Sequence, residues 1–191
     1  MMYYTGVGAR KIDRDTYNLL VRIGERMAEL GYTLRSGAAE GSDTAFQEGV
    51  CKVDPKLTQI WLPKPNFNKK KVQHKYPKCN YHNINEDMID YAGNRYLSLC
   101  IIPYWDNLEE DIKRFHGRNY YQVFGVQSVV KGFPSDPDTR VCIYAAPEKN
   151  GVVEGGTRSA VYLSRYLGVP TYNVLIPKQK EELLSKLKMK P

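Results

Sequence analysis

Apolar and polar residues along the chain follow two alternating periods, and the first predicted unit is a strand, a turn and a helix. The strand begins at Tyr3 and runs into a turn that contains Gly6 and Gly8. A cap at Asp13 or Asp15 begins the helix, and Gly31 ends it. The apolar residues between them recur at steps of three and four, which places them on one helical face: Leu20, Ile23, Met27 and Leu30.

The same alternation continues through most of the chain. Strands are predicted at 32–34, 58–63, 140–146 and 171–176, and helices from 42, over 85–97, over 108–124 and after 157. Strands separated by helices favour right-handed crossovers and a parallel sheet. We therefore predict an α/β fold, a single Rossmann-like domain with a doubly wound, mainly parallel sheet.

The chain of 191 residues, 42% of them hydrophobic, is long enough for one core of this kind. We predict that the domain covers residues 1–177. An irregular insertion is expected at about 64–83, where Lys, Asn, Pro, Tyr and His dominate. Residues 178–191 are expected to form a basic C-terminal helix or tail.

Cysteine usage and hydropathy predict a cytoplasmic protein. The cysteines at 51, 79, 100 and 142 are widely spaced and form no CxxC pair, which argues against a zinc ribbon, a disulfide framework or a dithiol redox site. No stretch approaches the roughly 18 apolar residues of a membrane span. We expect reduced thiols and no contact with a membrane.

The formal net charge of +7 favours attraction of phosphate. Much of this charge comes from Lys69–Lys71 and from lysines after residue 177, which are expected on the surface. A solvated basic face explains such a pattern more often than nucleic-acid binding does, so single-stranded DNA is kept as an alternative partner.

A glycine-rich turn follows the second predicted strand and leads directly into a helix. Small side chains there would let backbone amides approach an anion, while a carboxylate could cap the helix or bind a sugar hydroxyl. The alternative is a turn with a purely structural role. The predicted ligand-binding residues of this turn are Ser36, Gly37, Ala38, Gly41, Ser42 and Asp43.

A second turn of this kind, Gly155-Gly156-Thr157, also precedes a helix. Thr157 is a candidate N-cap, which is compatible with an anion site because a helix N-terminus exposes amide donors. Two such turns at the carboxyl edge of one parallel sheet are expected to hold one nucleotide-like ligand.

Other candidates lie outside the two turns. Gly8 and Arg10 follow the first strand, where a structural turn and a ligand contact are equally good interpretations. Arg118 is a natural bidentate partner for phosphate. Asn119 and Gln122 are further binding candidates on the same predicted helix.

Catalytic and metal-binding signals are weak. Glu154 is the carboxylate next to the second turn and is the candidate catalytic residue for cleavage of an N-glycosidic bond. The group His74, Cys79 and His82 has no clear fourth ligand, so we predict no metal site and no cofactor.

Taken in order, these motifs resemble the SMF/DprA and LOG (SLOG) superfamily over residues 3 to about 176. The match consists of Gly6-x-Gly8-x-Arg10, the turn from Leu34 to Asp43, Arg118-Asn119, and Gly155-Gly156-Thr157-x-x-Ala160. Within the superfamily the chain is similar to small stand-alone DprA-like proteins of phage and bacteria. That narrower resemblance rests on Pro103-Tyr104-Trp105 and on the segment from Arg118 to Gly125.

The resemblance implies a Rossmann-like fold and several functions, because the superfamily includes recombination mediators, phosphoribohydrolases and sensors of nucleotide signals. The hydrolases carry a closing glutamate in the motif Gly-Gly-x-Gly-Thr-x-x-Glu, a position that is not filled here, so Glu154 would have to replace it. The mediators resemble this chain at Ser36-Gly37 and Arg118-Asn119. The superfamily usually self-associates, which implies a homodimer or a higher homo-oligomer.

From these observations we predict binding of a nucleotide or a phosphoribosyl-containing small molecule. Its phosphate would contact the two turns and Arg118, while Asn119 and Asp43 would bind ribose or base. Tyr or Trp side chains between 61 and 105 would stack on the base. The alternatives are a phosphoribohydrolase-like hydrolase of nucleoside monophosphates and a DprA-like mediator that binds single-stranded DNA.

Overall fold

The computed structural model describes residues 2–125 and 138–190. A six-stranded sheet forms the centre of this region, and all of its strand pairs are parallel. Its strands are β1 (Met2–Gly8), β2 (Tyr32–Ser36), β3 (Thr58–Leu62), β4 (Tyr81–Asn83), β5 (Thr139–Ala145) and β8 (Thr171–Asn173). Their order is β4-β3-β2-β1-β5-β8. A separate antiparallel ribbon consists of β6 (Glu148–Lys149) and β7 (Val152–Val153).

Helices cover both faces of the sheet. They are α1 (Arg14–Glu29), α2 (Ser42–Val53), α3 (Glu86–Ser98), α4 (Glu110–Phe124), α5 (Arg158–Tyr166) and α6 (Pro177–Lys186). One hydrophobic core joins the sheet to α1, α2 and α6, and a second core joins it to α3, α4 and α5. The predicted single α/β domain with a doubly wound parallel sheet is therefore confirmed.

Helix boundaries follow local capping chemistry. Asp13, rather than Asp15, caps α1, because its Oδ1 accepts a hydrogen bond of 2.7 Å from the Thr16 amide. Gly31 has a φ of +79°, as expected for a left-handed helix stop. Thr157 is the N-cap residue of α5, as predicted, but its side chain makes no capping hydrogen bond.

Several predicted loops contain regular structure. Gly6 and Gly8 lie inside β1 instead of forming a turn after it. The segment at 64–83 contains a π-helical turn, Lys69–Gln73, and ends in β4. The loop before the second glycine turn contains the β6–β7 ribbon, which alternation of apolar residues could not reveal because each of its strands has only two residues.

The fold also joins two cysteines that are distant in sequence. Cys51 at the end of α2 and Cys79 before β4 have their sulfurs 3.1 Å apart. Their wide spacing in the sequence gives no sign of this contact, which arises because the crossover through β3 returns the chain to α2, and both thiols are free. Within residues 2–125 and 138–190, no helix is both long and apolar enough to cross a membrane.

Candidate functional site

A cleft of about 710 Å³ opens at the carboxyl edge of the sheet. Strand β1 pairs with β2 on one side and with β5 on the other. The cleft lies at the end of β1, between these two neighbours, which is the topological switch point of the sheet. Open α/β sheets bind ligands at this position because two crossovers diverge there and leave a crevice.

Close backbone contacts bring β1, β5 and α2 together at the base of the cleft. The Ala9 amide donates to the Ala145 carbonyl at 2.7 Å, and the Ser42 amide donates to the Ala9 carbonyl at 3.2 Å. A Cβ atom on Gly8 would lie 2.5 Å from both the Ala145 oxygen and the Ser42 Oγ. Gly8 is therefore required for packing in addition to lining the cleft.

The first glycine turn is closed by its own carboxylate. Asp43 is buried, and its Oδ2 accepts from the Ala39 amide at 3.3 Å and its carboxylate also accepts from the Gly37 amide. Burial raises the pKa of Asp43, and the charge of Arg118 opposes that shift. These amides already bind the carboxyl group of Asp43, so the protein itself satisfies them.

The predicted residues of this turn divide into two groups. Asp43 lines the cleft, together with its neighbour Ala39. The others lie behind the cleft wall: Ser36, Gly37, Ala38, Gly41 and Ser42. Ser36 Oγ donates to the Gly6 carbonyl at 2.6 Å, which ties the turn to β1.

Arg118 projects from α4 into the interior beside this turn. Its side chain is only 8% exposed, and its Nη1 donates to the Gly37 carbonyl at 2.8 Å. Its guanidinium carbon lies 5.7 Å from the centre of the Phe115 ring and 5.8 Å from that of Phe67. Burial lowers the pKa of Arg118, but a guanidinium stays protonated in proteins, so Arg118 supplies a fixed positive charge to the cleft.

Asn119 links the helix to the second glycine turn. Its Nδ2 donates to the Gly156 carbonyl at 2.7 Å and to Ser159 Oγ at 2.9 Å. The same hydroxyl lies 2.9 Å from His116 Nδ1. Burial, with Arg118 and Arg158 nearby, lowers the pKa of His116 to about 4, so its imidazole is neutral at pH 7.

The second turn presents open donors to the cleft. Gly155 and Gly156 are exposed, and the amides of residues 155–157 have no hydrogen-bond acceptor within the described parts of the chain. Arg158 stands beside them on the rim, and Arg10 lies on the other side of the cleft with its guanidinium carbon 5.3 Å from the Phe115 ring centre. This turn, rather than the first, has the geometry of an anion site.

Gln122 lies on the floor of the cleft with its side-chain amide unsatisfied. The residue is fully buried, and neither Oε1 nor Nε2 has a hydrogen-bond partner among residues 2–125 and 138–190. Its Nε2 packs against the backbone of Gly37, and a Cβ added to Gly37 would lie 2.5 Å from this nitrogen. Leaving such a group unpaired costs about 1–3 kcal/mol, which a ligand with a donor and an acceptor would recover.

The aromatic side chains that line the cleft are only partly those predicted. Trp61 is buried and stacks on His82 with ring centres 4.9 Å apart, and Trp105 is buried under α3. Tyr104, which is 49% exposed, is the member of the predicted stretch that reaches the cleft. Phe115 and Tyr162 also line it.

Sequence reasoning missed His116, Arg158 and Ser159. Arg158 and Ser159 directly follow the second turn, so extending the predicted anion site into the first turn of its helix would have included them. Nothing in the sequence marks His116 beyond its place two residues before Arg118. The predicted catalytic Glu154 lies exposed on the rim, and its role stays a prediction.

The residues considered as metal ligands are separated by their contacts. His82 stacks on Trp61, Cys79 pairs with Cys51, and His74 is exposed beyond the π-helical turn. No cluster of three or more His, Cys, Asp or Glu side chains suited to a metal occurs in the described residues.

Comparison with known proteins extends to the fold. No protein-family model matches the chain, and no curated protein matches it in sequence. A solved structure that concerns the single-stranded DNA binding mode of DNA processing protein A from Helicobacter pylori is similar, with a TM-score of 0.58 and 15% sequence identity. The match covers 99% of this chain and 74% of that chain. The chain therefore has a fold of the kind found in DNA processing protein A, as the resemblance of its motifs implied.

Proposed function

We propose that this protein binds single-stranded DNA and places one nucleotide of the strand in the cleft. The observation that carries the proposal is the buried, unpaired amide of Gln122 on the cleft floor. A nucleobase edge offers hydrogen-bond donors and acceptors side by side, and glutamine amides pair with such edges in nucleic-acid complexes. A base that reached Gln122 would recover the free energy that its burial costs.

The remaining parts of a nucleotide have complementary groups nearby. A phosphate fits the open amides of residues 155–157, with Arg10 and Arg158 on either side. Exposed Tyr104 can stack on a base, and such stacking contributes about 1–3 kcal/mol per base. The cleft thus offers base, stacking and phosphate contacts along one path.

Two observations favour a strand over an isolated nucleotide. Gly155, Gly156 and the two arginines beside the cleft, Arg10 and Arg158, are exposed, so a phosphate bound there can continue into a backbone that leaves the cleft. The similar fold of DNA processing protein A belongs to a protein whose single-stranded DNA binding has been described. The net charge of +7 adds long-range attraction.

A free phosphorylated nucleotide is the second candidate. It is favoured by the position of the cleft at the switch point of the sheet and by the volume of about 710 Å³, which suits one small ligand. The same Gln122 and second-turn contacts would hold it.

Substitution Gln122→Met tests the proposal. Methionine has a similar length and no hydrogen-bonding amide, so binding of a fluorescein-labelled single strand, measured by anisotropy, is expected to weaken about tenfold. The free variant is expected to unfold at the same or a higher temperature, because the unsatisfied amide has been removed.

Competition distinguishes the two candidates. If unlabelled strand displaces the probe and nucleoside monophosphates do not, the single-strand proposal holds. If monophosphates bind the wild type tightly in calorimetry and strands bind no better, the ligand is a free nucleotide. Unchanged affinity of Gln122→Met for both ligands would exclude Gln122 from the site.

A further inference from the structure

Cys51 and Cys79 form a close pair far from the cleft. Their sulfurs are 3.1 Å apart, and both thiols are free. Cys51 belongs to the last turn of α2, and Cys79 lies in the insertion before β4. A disulfide has sulfurs about 2.05 Å apart, so a further approach of about 1 Å would join them.

The surroundings of the pair favour a thiolate on Cys79. The Cys51 thiol lies within hydrogen-bond distance of the Cys79 sulfur, and the polar side chains of Gln47, Thr58 and Tyr81 are close to Cys79. These contacts lower the pKa of Cys79 to about 7, against the opposing effect of burial. The pair therefore shares one proton near neutral pH, and that proton is held on Cys51.

A second cavity of about 420 Å³ gives access to Cys51. Cys51 lines it and is partly exposed, whereas Cys79 is 8% exposed. Three lysines line the same cavity, Lys52, Lys75 and Lys78, against the single carboxylate of Glu48. The cavity thus carries a positive charge beside a thiol, which suits an anionic reagent.

We propose that Cys51 and Cys79 form a redox-active dithiol that a small anionic disulfide, of the glutathione type, oxidises to an intramolecular disulfide. Cys51 attacks one sulfur of the reagent as its proton passes to Cys79, and the first half of the reagent leaves as a thiolate. Cys79 then passes this proton to the thiolate that left first and attacks the Cys51 sulfur, and the second half of the reagent leaves as a thiolate. One protein thiol, one protein thiolate and one reagent disulfide become one protein disulfide, one reagent thiol and one reagent thiolate.

The other two cysteines serve as internal references. Cys142 is fully buried, and burial raises its pKa to about 12, so it is expected to be inert. Cys100 is exposed and has no second cysteine within reach among the described residues. It is expected to form only a mixed disulfide with the reagent.

Oxidation would fasten the insertion to α2. The insertion contacts the cleft region through Asn68, whose Nδ2 donates to the Ala38 carbonyl at 2.9 Å, and through Phe67, which packs on Phe115 with ring centres 5.5 Å apart. Closing a loop of this length is expected to raise the melting temperature by about 5–10 °C.

The test treats the folded wild-type protein with reduced and oxidised glutathione at a series of ratios, then alkylates free thiols and maps peptides by mass spectrometry. The expected product is a peptide that links Cys51 to Cys79, reversed by reduced glutathione. A stable mixed disulfide on Cys51 in the wild type, or a link that forms only in denaturant, would overturn the proposal.

Two variants separate the proposed roles. Cys79→Ser is expected to trap the mixed disulfide on Cys51, because the resolving thiol is absent. Cys142→Ser, the matched control, is expected to form the Cys51–Cys79 link as the wild type does. Equal trapping on Cys51 and Cys100 in the wild type would show that exposure alone decides reactivity and would contradict the paired mechanism.

Discussion

The polar residues that α4 contributes to the cleft are largely buried. Arg118, Asn119 and Gln122 lie on one helix and are each less than one-tenth exposed. Arg118 and Asn119 are satisfied by protein groups, whereas Gln122 is not. The site therefore has a preorganised wall and one buried amide that no protein group among the described residues satisfies.

His116 makes the stability of the folded protein depend on pH. Its pKa is about 4 in the folded protein and 6.5 in an unfolded chain, so the unfolded chain binds the proton more readily. The stability it supports is complete above pH 6.5 and is lost as the pH falls toward 4, by at most about 1.4 kcal/mol per pH unit.

The substitution His116→Asn is expected to reduce this dependence. Urea unfolding at intervals between pH 7 and pH 4 would measure it, and the difference between wild type and variant isolates His116 from the carboxylates. If the difference in the free energy of unfolding between wild type and variant stayed constant over this pH range, the lowered pKa of His116 would be contradicted.

Elements are positioned by close approach as well as by apolar stripes. Helices α1 and α2 cross where Gly49 faces the backbone of α1, and a Cβ on Gly49 would lie 2.1 Å from the Val21 carbonyl oxygen. Gly24 faces α2 in the same way, 2.5 Å from the Phe46 oxygen. Since α2 begins at the cleft, this crossing also sets the position of Asp43.

The substitution Gly49→Ala is therefore expected to destabilise the protein by about 1–3 kcal/mol, because neither backbone can move away without disturbing the other helix. Gly117→Ala is the matched control. It is also a buried helical glycine, but its added Cβ would lie 3.5 Å from its nearest neighbours, so it should be neutral or stabilising by up to about 1 kcal/mol. Chemical denaturation of both variants measures the contrast, and equal losses would contradict the crossing argument.

Sequence patterns predicted elements and the location of the site better than they predicted its atomic contacts. The apolar stripe of α1 and the Asp13 cap are local features, so the sequence reveals them. Asp43 was assigned to a ligand, whereas its carboxylate accepts from the Ala39 amide four residues earlier in the same turn. The residue type alone does not distinguish these two uses of a carboxylate. The contact between Cys51 and Cys79 likewise depends on the path of the insertion, which no spacing rule describes.

At the scale of the whole molecule, strand order decides where function can occur. The order β4-β3-β2-β1-β5-β8 opens the crevice between β1 and β5, and both glycine turns meet there because they follow strands on either side of it. The lysines of the insertion lie apart from this crevice, and Lys71 pairs with Glu40 at 2.7 Å. The rim arginines are therefore better candidates than these lysines for contacts with phosphate. Self-association stays a prediction.

The dependence of binding on salt tests this assignment of charge. Each phosphate contact with a single strand contributes a slope of about −0.7 to the logarithm of affinity against the logarithm of salt concentration. Arg10 and Arg158 flank one phosphate, so the double variant Arg10→Ala with Arg158→Ala is expected to reduce the slope by about 0.7, measured by anisotropy at several salt concentrations. Arg140→Ala is the control, because Arg140 is exposed near the start of β5, at the opposite edge of the sheet. If Arg140→Ala reduced the salt slope as much as the double variant does, the strand would bind outside the cleft, through attraction to the basic surface as a whole.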